Sequence, residues 1–192
     1  MNDAADSRPF RRPVRLRNGT AVLIREARAD DKERLIAAFA GLDRHTIYTR
    51  YFSFRKGLSQ TELQRLDHPD SGRYILLVAT RGEGPGETII AGGSGVVTEP
   101  AAAVRSAECA FTVEEDYQGQ GLAGHLLAAI VDLARDQGIG RLEADVLAQN
   151  QPMLAVFRRC GLPMTTSLSA GVVHLVLDLG GQGPAHGAGA KA

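Results

Sequence analysis

The sequence predicts an α/β fold with a mixed, mostly antiparallel central sheet flanked by helices, and three observations carry that reading. Between residues 73 and 113 lie three β-rich runs separated by turn-forming clusters, the pattern of antiparallel neighbours. Residues 121–137 form a long helical run with a clear apolar stripe. A further β-rich run, 141–147, follows that helix directly, so the connection reads as a right-handed strand–helix–strand crossover with parallel strands.

The elements follow in order. Residues 1–13 are polar and arginine-rich and read as a disordered arm, 14–179 as the folded domain, and the Gly- and Ala-rich 180–192 as a flexible tail. Arg8, Arg11, Arg12, Arg15 and Arg17 either touch a polyanion or face water. Residues 21–27 read as a strand after a turn at Asn18-Gly19. Asp30 caps a helix to about residue 41, with Leu35, Ile36, Phe39 and Ala40 on one face. Short helices are expected over 44–52 and over 61–66, the second capped by Ser59. Residues 73–80 and 88–98 form a hairpin around the glycines at 82–86, and 104–113 is the next antiparallel strand. In the long helix Leu122, Leu126, Ile130 and Leu133 make one stripe, with Leu127, Val131 and Ala134 beside it; His125, Asp132, Arg135 and Asp136 fall on the wet face. After strand 141–147 come a helix over 152–160, opened by Asn150, and a last strand over 172–179.

Composition narrows the function. The chain has 192 residues, 44% apolar and 23% charged, with zero formal net charge. One domain with a full core fits that length, and nothing biases the whole surface towards nucleic acid or a membrane. No apolar run approaches the roughly 18 residues that span a bilayer, and the N-terminus lacks the apolar stretch of a secretory signal, so a cytoplasmic location is expected. Cys109 and Cys160 make neither a disulfide framework nor a zinc site and read as reduced, packed thiols. The five histidines lack ligand spacing, and no metal is expected.

The chemistry begins at Tyr117-Gln118-Gly119-Gln120-Gly121-Leu122-Ala123-Gly124, between a strand and the long helix. Three glycines within six positions let the backbone approach a bulky ligand, and the helix start turns unpaired N–H groups towards it. A pyrophosphate suits that geometry. Gly119, Gly121 and Gly124 also spell the dinucleotide pattern, with Glu143 and Asp145 about 20 residues on. Against a dinucleotide stand the intervening Glu114-Glu115-Asp116 and the antiparallel front half. No Gly-Lys-Ser/Thr follows a glycine loop, and Gly93-Ser94-Gly95 lacks the frame of a nucleophile elbow.

Gln118-x-x-Gly121-x-Ala123, ten residues beyond Glu108, resembles the acyl-CoA loop of the Gcn5-related N-acetyltransferase (GNAT) superfamily. Asn150, Met153, Val156-Phe157 and Cys160-Gly161-Leu162 match that family's Asn-led helix, and residues 14–179 fit its element order. Asn18-Gly19-Thr20-x-Val22-x-Ile24-Arg25, Ala29-Asp30-Asp31 and residues 42–52 resemble the acetyltransferase domain of bacterial protein-lysine acetyltransferases, which modify acyl-CoA synthetases and other enzymes. The resemblance implies acetyl-CoA as cofactor and an amine as acceptor, most simply a protein lysine. The alternatives are a small-molecule amine, or an acyl-CoA sensor that has kept only the binding loop.

The residues can be assigned on that basis. The N–H groups of Gln118, Gly119, Gln120, Gly121, Leu122, Ala123 and Gly124 hold the diphosphate by position. The resemblance implies that the strand edge at Phe111, Thr112 and Val113 pairs with the pantetheine arm, and that a backbone N–H at or near Phe111 faces the thioester oxygen. Glu108 is the candidate general base: a lysine ammonium has a reference pKa of about 10.4, and apolar Ala107, Cys109, Ala110 and Phe111 are expected to desolvate the carboxylate. The alternative is a carboxylate paired with an arginine. Glu114, Glu115 and Asp116 read as a solvated turn. Relatives place a tyrosine where this chain has Phe157, so thiol departure is assisted by another group, such as Tyr117 or water, or needs no acid. Phe157 then packs against the pantetheine. Asn150 bonds its amide or simply caps the helix. Arg44, Tyr48, Arg50 and Tyr51 either read the acceptor's surroundings or pack and face water.

Overall fold

The computed structural model describes residues 9–67, 72–98 and 104–180. One eight-stranded sheet comprises β1 (Arg11–Arg15), β2 (Ala21–Glu26), β3 (Tyr74–Arg81), β4 (Thr88–Val97), β5 (Ser106–Val113), β6 (Arg141–Leu147), β7 (Met164–Ser169) and β8 (Val172–Asp178), in the order β1-β2-β3-β4-β5-β6-β8-β7. Every neighbouring pair is antiparallel except β5 and β6. Among the described residues five α-helices flank it: α1 (Lys32–Gly41), α2 (Arg44–Tyr51), α3 (Gln60–Gln64), α4 (Leu122–Asp136) and α5 (Gln151–Arg158).

Strand alternation divides the core into two layers. Ile75, Leu77 and Ala79 of β3 join the cluster built on α4 and α5, whereas Val78 and Leu76 meet Leu35 and Ala38 of α1 and Leu63 and Leu66 on the opposite face. α4 carries the expected stripe, with Leu122, Leu126 and Ile130 buried and Leu133 half-buried. It lies close on β4 because Gly93 has no side chain: a Cβ there would stand 3.2 Å from Ile130 Cδ1 and 3.4 Å from Phe111 Cδ1.

Several expectations need correcting. The arm does not reach residue 13, because Arg11–Arg15 pairs with β2 as an edge strand, where Pro13 is tolerated. The remainder of the arm (residues 1–8) and the tail beyond residue 180 lie outside the described residues. β7 was not expected, since its residues 165–169 are all exposed and carry no buried face. It pairs with β8 across a two-residue turn, Ala170 (φ 50°) and Gly171 (φ 79°), the double positive φ of a type I′ hairpin.

Asp30 does not cap α1; its neighbour Asp31 is the buried residue. The Asp31 carboxylate accepts from Arg25 Nη1 and Nη2 at 2.7 and 2.8 Å and from the Arg28 N–H at 2.8 Å. Burial pushes the carboxyl up, and the Arg25 and Arg28 bonds outweigh that and hold it below the usual range. Arg25 also donates to Glu87 at 3.1 Å, tying β2 to the start of β4.

Ser59 caps α3 as expected, in a reciprocal box with Glu62. Burial raises the Glu62 carboxyl, but bonds from Arg55 (2.6 Å) and Ser59 more than offset it and bring the pKa down to about 2. A lowered pKa stabilises the fold above the unfolded value of about 4.3, and that stabilisation fades as pH falls through the folded value. Glu62→Gln should therefore melt below the native protein at pH 7, with the gap narrowing between about pH 4.3 and 2. A gap independent of pH in thermal melts would remove Glu62 from this role.

Candidate active site

The site begins where two strands part. β5 and β6 pair only from Ser106–Arg141 to Glu108–Glu143, although β5 stays on β4 as far as Val113 and β6 stays on β8 as far as Leu147. At the ends of the β4–β5 ladder the Thr98 N–H donates to Ser106 O and the Glu114 N–H to Ile90 O. Antiparallel alternation then assigns the even-numbered residues to β4 and turns the backbone groups of Phe111 and Val113 towards the gap that β6 leaves. Gln118 Nε2 donates to one of them, Val113 O, at 3.0 Å. Phe111 thus turns its N–H towards the gap. Thr112 does not present an edge: its position in the ladder directs its backbone to Gly92 on β4, and it contributes only wall.

The glycine loop faces the same gap. Gly119 (φ 70°) and Gly121 (φ 91°) adopt left-handed backbone, and Gly121 is the residue that caps α4. A Cβ on Gly119 or Gly124 would meet nothing within 4 Å, so the space before the helix is open. The loop's side chains point elsewhere and anchor it: Gln118 Nε2 also donates to Thr46 Oγ1 at 3.1 Å, and Gln120 Oε1 accepts from the Asn18 N–H at 3.1 Å. The β1–β2 turn completes the support, with the Arg17 N–H on Gln120 O at 3.3 Å and Arg17 Nη1 on Gly119 O at 3.2 Å. Leu122 is buried and offers its backbone alone, whereas Ala123 lines the opening.

Loop, gap and α5 enclose a cleft of about 870 Å³, within the range of small-molecule sites. Phe157 is buried with its ring 6.0 Å from that of Phe111, forming one wall. Asn150 caps α5, its Oδ1 accepting from the Met153 N–H at 3.2 Å, which leaves its amide N–H groups for a ligand. Tyr117 lines the cleft too, and its hydroxyl accepts from Arg81 at 3.0 Å. Cys109 is buried, and loss of solvent pushes its thiol up to about 12, which keeps it unreactive. Arg17, Asp132, Arg135 and Arg159 also line the cleft. The sequence reading put Asp132 and Arg135 on the wet face and Arg17 among the arm's cations; their pairing with the cleft is a property of the fold.

The expected burial of Glu108 is absent. The residue is exposed, because its apolar neighbours Ala107 and Cys109 turn to the opposite face of β5. Glu108 lies at the last paired position before the strands part, in register with Glu143. Glu114, by contrast, is half-buried rather than a solvated turn residue. Burial and then the charges of Asp116 and Glu115 raise its pKa above the usual value.

A second cavity of about 160 Å³ lies under α1 and α3, against the other face of the sheet, walled by Tyr51, Glu62 and Glu114 among apolar side chains. It adjoins the larger cleft at Arg50, Ala110 and Thr112, which line both. Of the four expected acceptor residues, Arg50 lines both openings and Tyr51 the second cavity alone. Arg44 and Tyr48 line neither: they stack with Phe54, at 4.7 and 5.3 Å, on the outer surface.

The parallel pair thus parts to leave a gap, with the glycine loop at its mouth. Residues 22–162 match the acetyltransferase (GNAT) family. The chain is 33% identical over 150 residues to acetyltransferase Pat of Mycolicibacterium smegmatis, covering 78% of this chain and 43% of that protein. It is 30% identical over 144 residues to acetyltransferase PA5475 of Pseudomonas aeruginosa, covering 72% of this chain and 73% of that one. The crystal structure of the GNAT domain of S. lividans PAT superposes with a TM-score of 0.76 at 32% identity, over 88% of this chain and 96% of that domain. The chain therefore belongs to the GNAT family of acetyl-CoA-dependent N-acetyltransferases. It spans less than half the length of the Pat relative.

Proposed function

We propose that this domain transfers the acetyl group of acetyl-CoA to the ε-amine of a lysine in another protein, such as an acyl-CoA synthetase. The observation that carries the reading is the similarity to the GNAT domain of PAT over nearly all of that domain, 96%. The cofactor supplies an acetyl group activated as a thioester. Amides from Gln118 to Gly124 hold the diphosphate, and the Phe111 N–H stabilises the charge that develops on the carbonyl oxygen. Phe157 excludes water from the arm, the open edge of β5 pairs with its amides, and the Asn150 amide orients it.

Glu108 accepts the proton of the attacking amine, directly or through water, as the C–N bond forms; the C–S bond then breaks and coenzyme A leaves as a thiolate that takes its proton from Tyr117 or water. What supports that role is its place at the end of the β5–β6 pairing, although it is not among the residues lining the cleft or the adjoining cavity. Glu114 is the rival base, because it lines the cavity that adjoins the cleft and has a raised pKa. That small, largely apolar cavity also favours a second reading, a small amine as acceptor.

Thiol release from acetyl-CoA, measured with purified acyl-CoA synthetases and with amino acids, polyamines and aminoglycosides, separates these readings. Turnover with protein lysines alone supports the proposal. Turnover confined to small amines replaces it with the second reading, and binding without turnover on any acceptor indicates a sensor.

A further inference from the structure

The glycine loop carries a charge problem of its own. A diphosphate brings two negative charges, yet Gln118 to Gly124 contains no ionisable side chain. Just before the loop stand Glu114, Glu115 and Asp116, whose field opposes an anion. Both loop glutamines are engaged elsewhere, Gln118 on Thr46 and Val113 and Gln120 on Asn18. The amides and the helix dipole supply partial charge only, so any full positive charge at the loop comes from another part of the chain.

The fold brings one from about 100 residues away. Arg17, in the β1–β2 turn, is exposed, lines the cofactor cleft and donates through Nη1 to Gly119 O. Its Nε lies 3.9 Å from where a Cβ on Gly121 would stand, over the glycine that opens α4. The backbone bond from Arg17 to Gln120 O, and that from Asn18 to the Gln120 side chain, fix the turn in this position. Arg135, which also lines the cleft, sits in the last turn of α4 and donates to Leu179 O, far from the loop.

We propose that Arg17 is a cofactor-binding residue, whose guanidinium donates to the diphosphate of coenzyme A while Nη1 holds the Gly119 carbonyl. The inference rests on the reading that the loop holds that diphosphate. With one N–H engaged, the planar fork retains further donors for phosphate oxygens, an arrangement a lysine reproduces only as a point charge.

Calorimetric titration of coenzyme A and of 3′-dephospho-coenzyme A into the native protein, Arg17→Gln, Arg17→Lys and Gly124→Leu tests it. Arg17→Gln should weaken both ligands equally, by about tenfold at low salt, with an unchanged melting temperature. The loss should shrink as salt shortens the screening length from about 10 Å to about 3 Å, and Arg17→Lys should recover part of it. Native affinity in Arg17→Gln, with binding lost in Gly124→Leu, sinks the inference and spares the loop. Native affinity in both variants removes the loop reading and the inference together. A loss confined to coenzyme A reassigns Arg17 to the 3′-phosphate, and a salt-independent loss without lysine rescue reduces it to a structural clamp; either overturns the proposal.

Discussion

Gly124→Leu is expected to weaken acetyl-CoA binding by about a hundredfold or more, ~2.7 kcal/mol, without destabilising the fold. Gly124 lies in the first turn of α4, lines the cofactor cleft, and has nothing within 4 Å of its missing Cβ. A leucine there has room in the free protein and costs no native contact. It gains about 1 kcal/mol of helix propensity over glycine, so the melting temperature should hold or rise. The same side chain fills the approach to the amides of Gly121 to Gly124, which then cannot reach a phosphate. Calorimetry and a thermal melt on one preparation check both halves. A folded variant that binds the cofactor normally would remove the diphosphate from this loop.

Glu108→Gln is expected to lower kcat by about a hundredfold with little change in cofactor affinity. The substitution keeps the size of the side chain but removes its charge and its capacity to take a proton. Glu108 is exposed in the free domain, so its effect is expected to arise from its position beside the parting strands. Glu114→Gln is the paired measurement. A larger fall in kcat there than in Glu108→Gln, with loss of the acidic limb of the pH–rate profile, transfers the role to Glu114.

The sequence made some parts legible for identifiable reasons. Gly119 and Gly121 adopt positive φ, and the α4 stripe buries Leu122, Leu126 and Ile130, so local spacing sufficed to find loop and helix. Edge strands were harder. β7 has no buried alternation to betray it, and β1 was hidden in a run of arginines. The environment of Glu108 was misread because its neighbours in sequence are not its neighbours in space. In a strand, Ala107 and Cys109 point one way and Glu108 the other, so apolar flanks imply exposure as readily as burial. The approach of Arg17 to the loop depends on the register of β1 and β2, which no local pattern encodes.

Titrating acetyl-CoA into isotope-labelled protein and following backbone amide resonances tests the central claim most directly. The account predicts saturable shifts at Gly119, Gly121 and Gly124 from the diphosphate and at Phe111 from the thioester. Saturation that leaves those four amides unmoved, with shifts gathered on another face of the sheet, would contradict it.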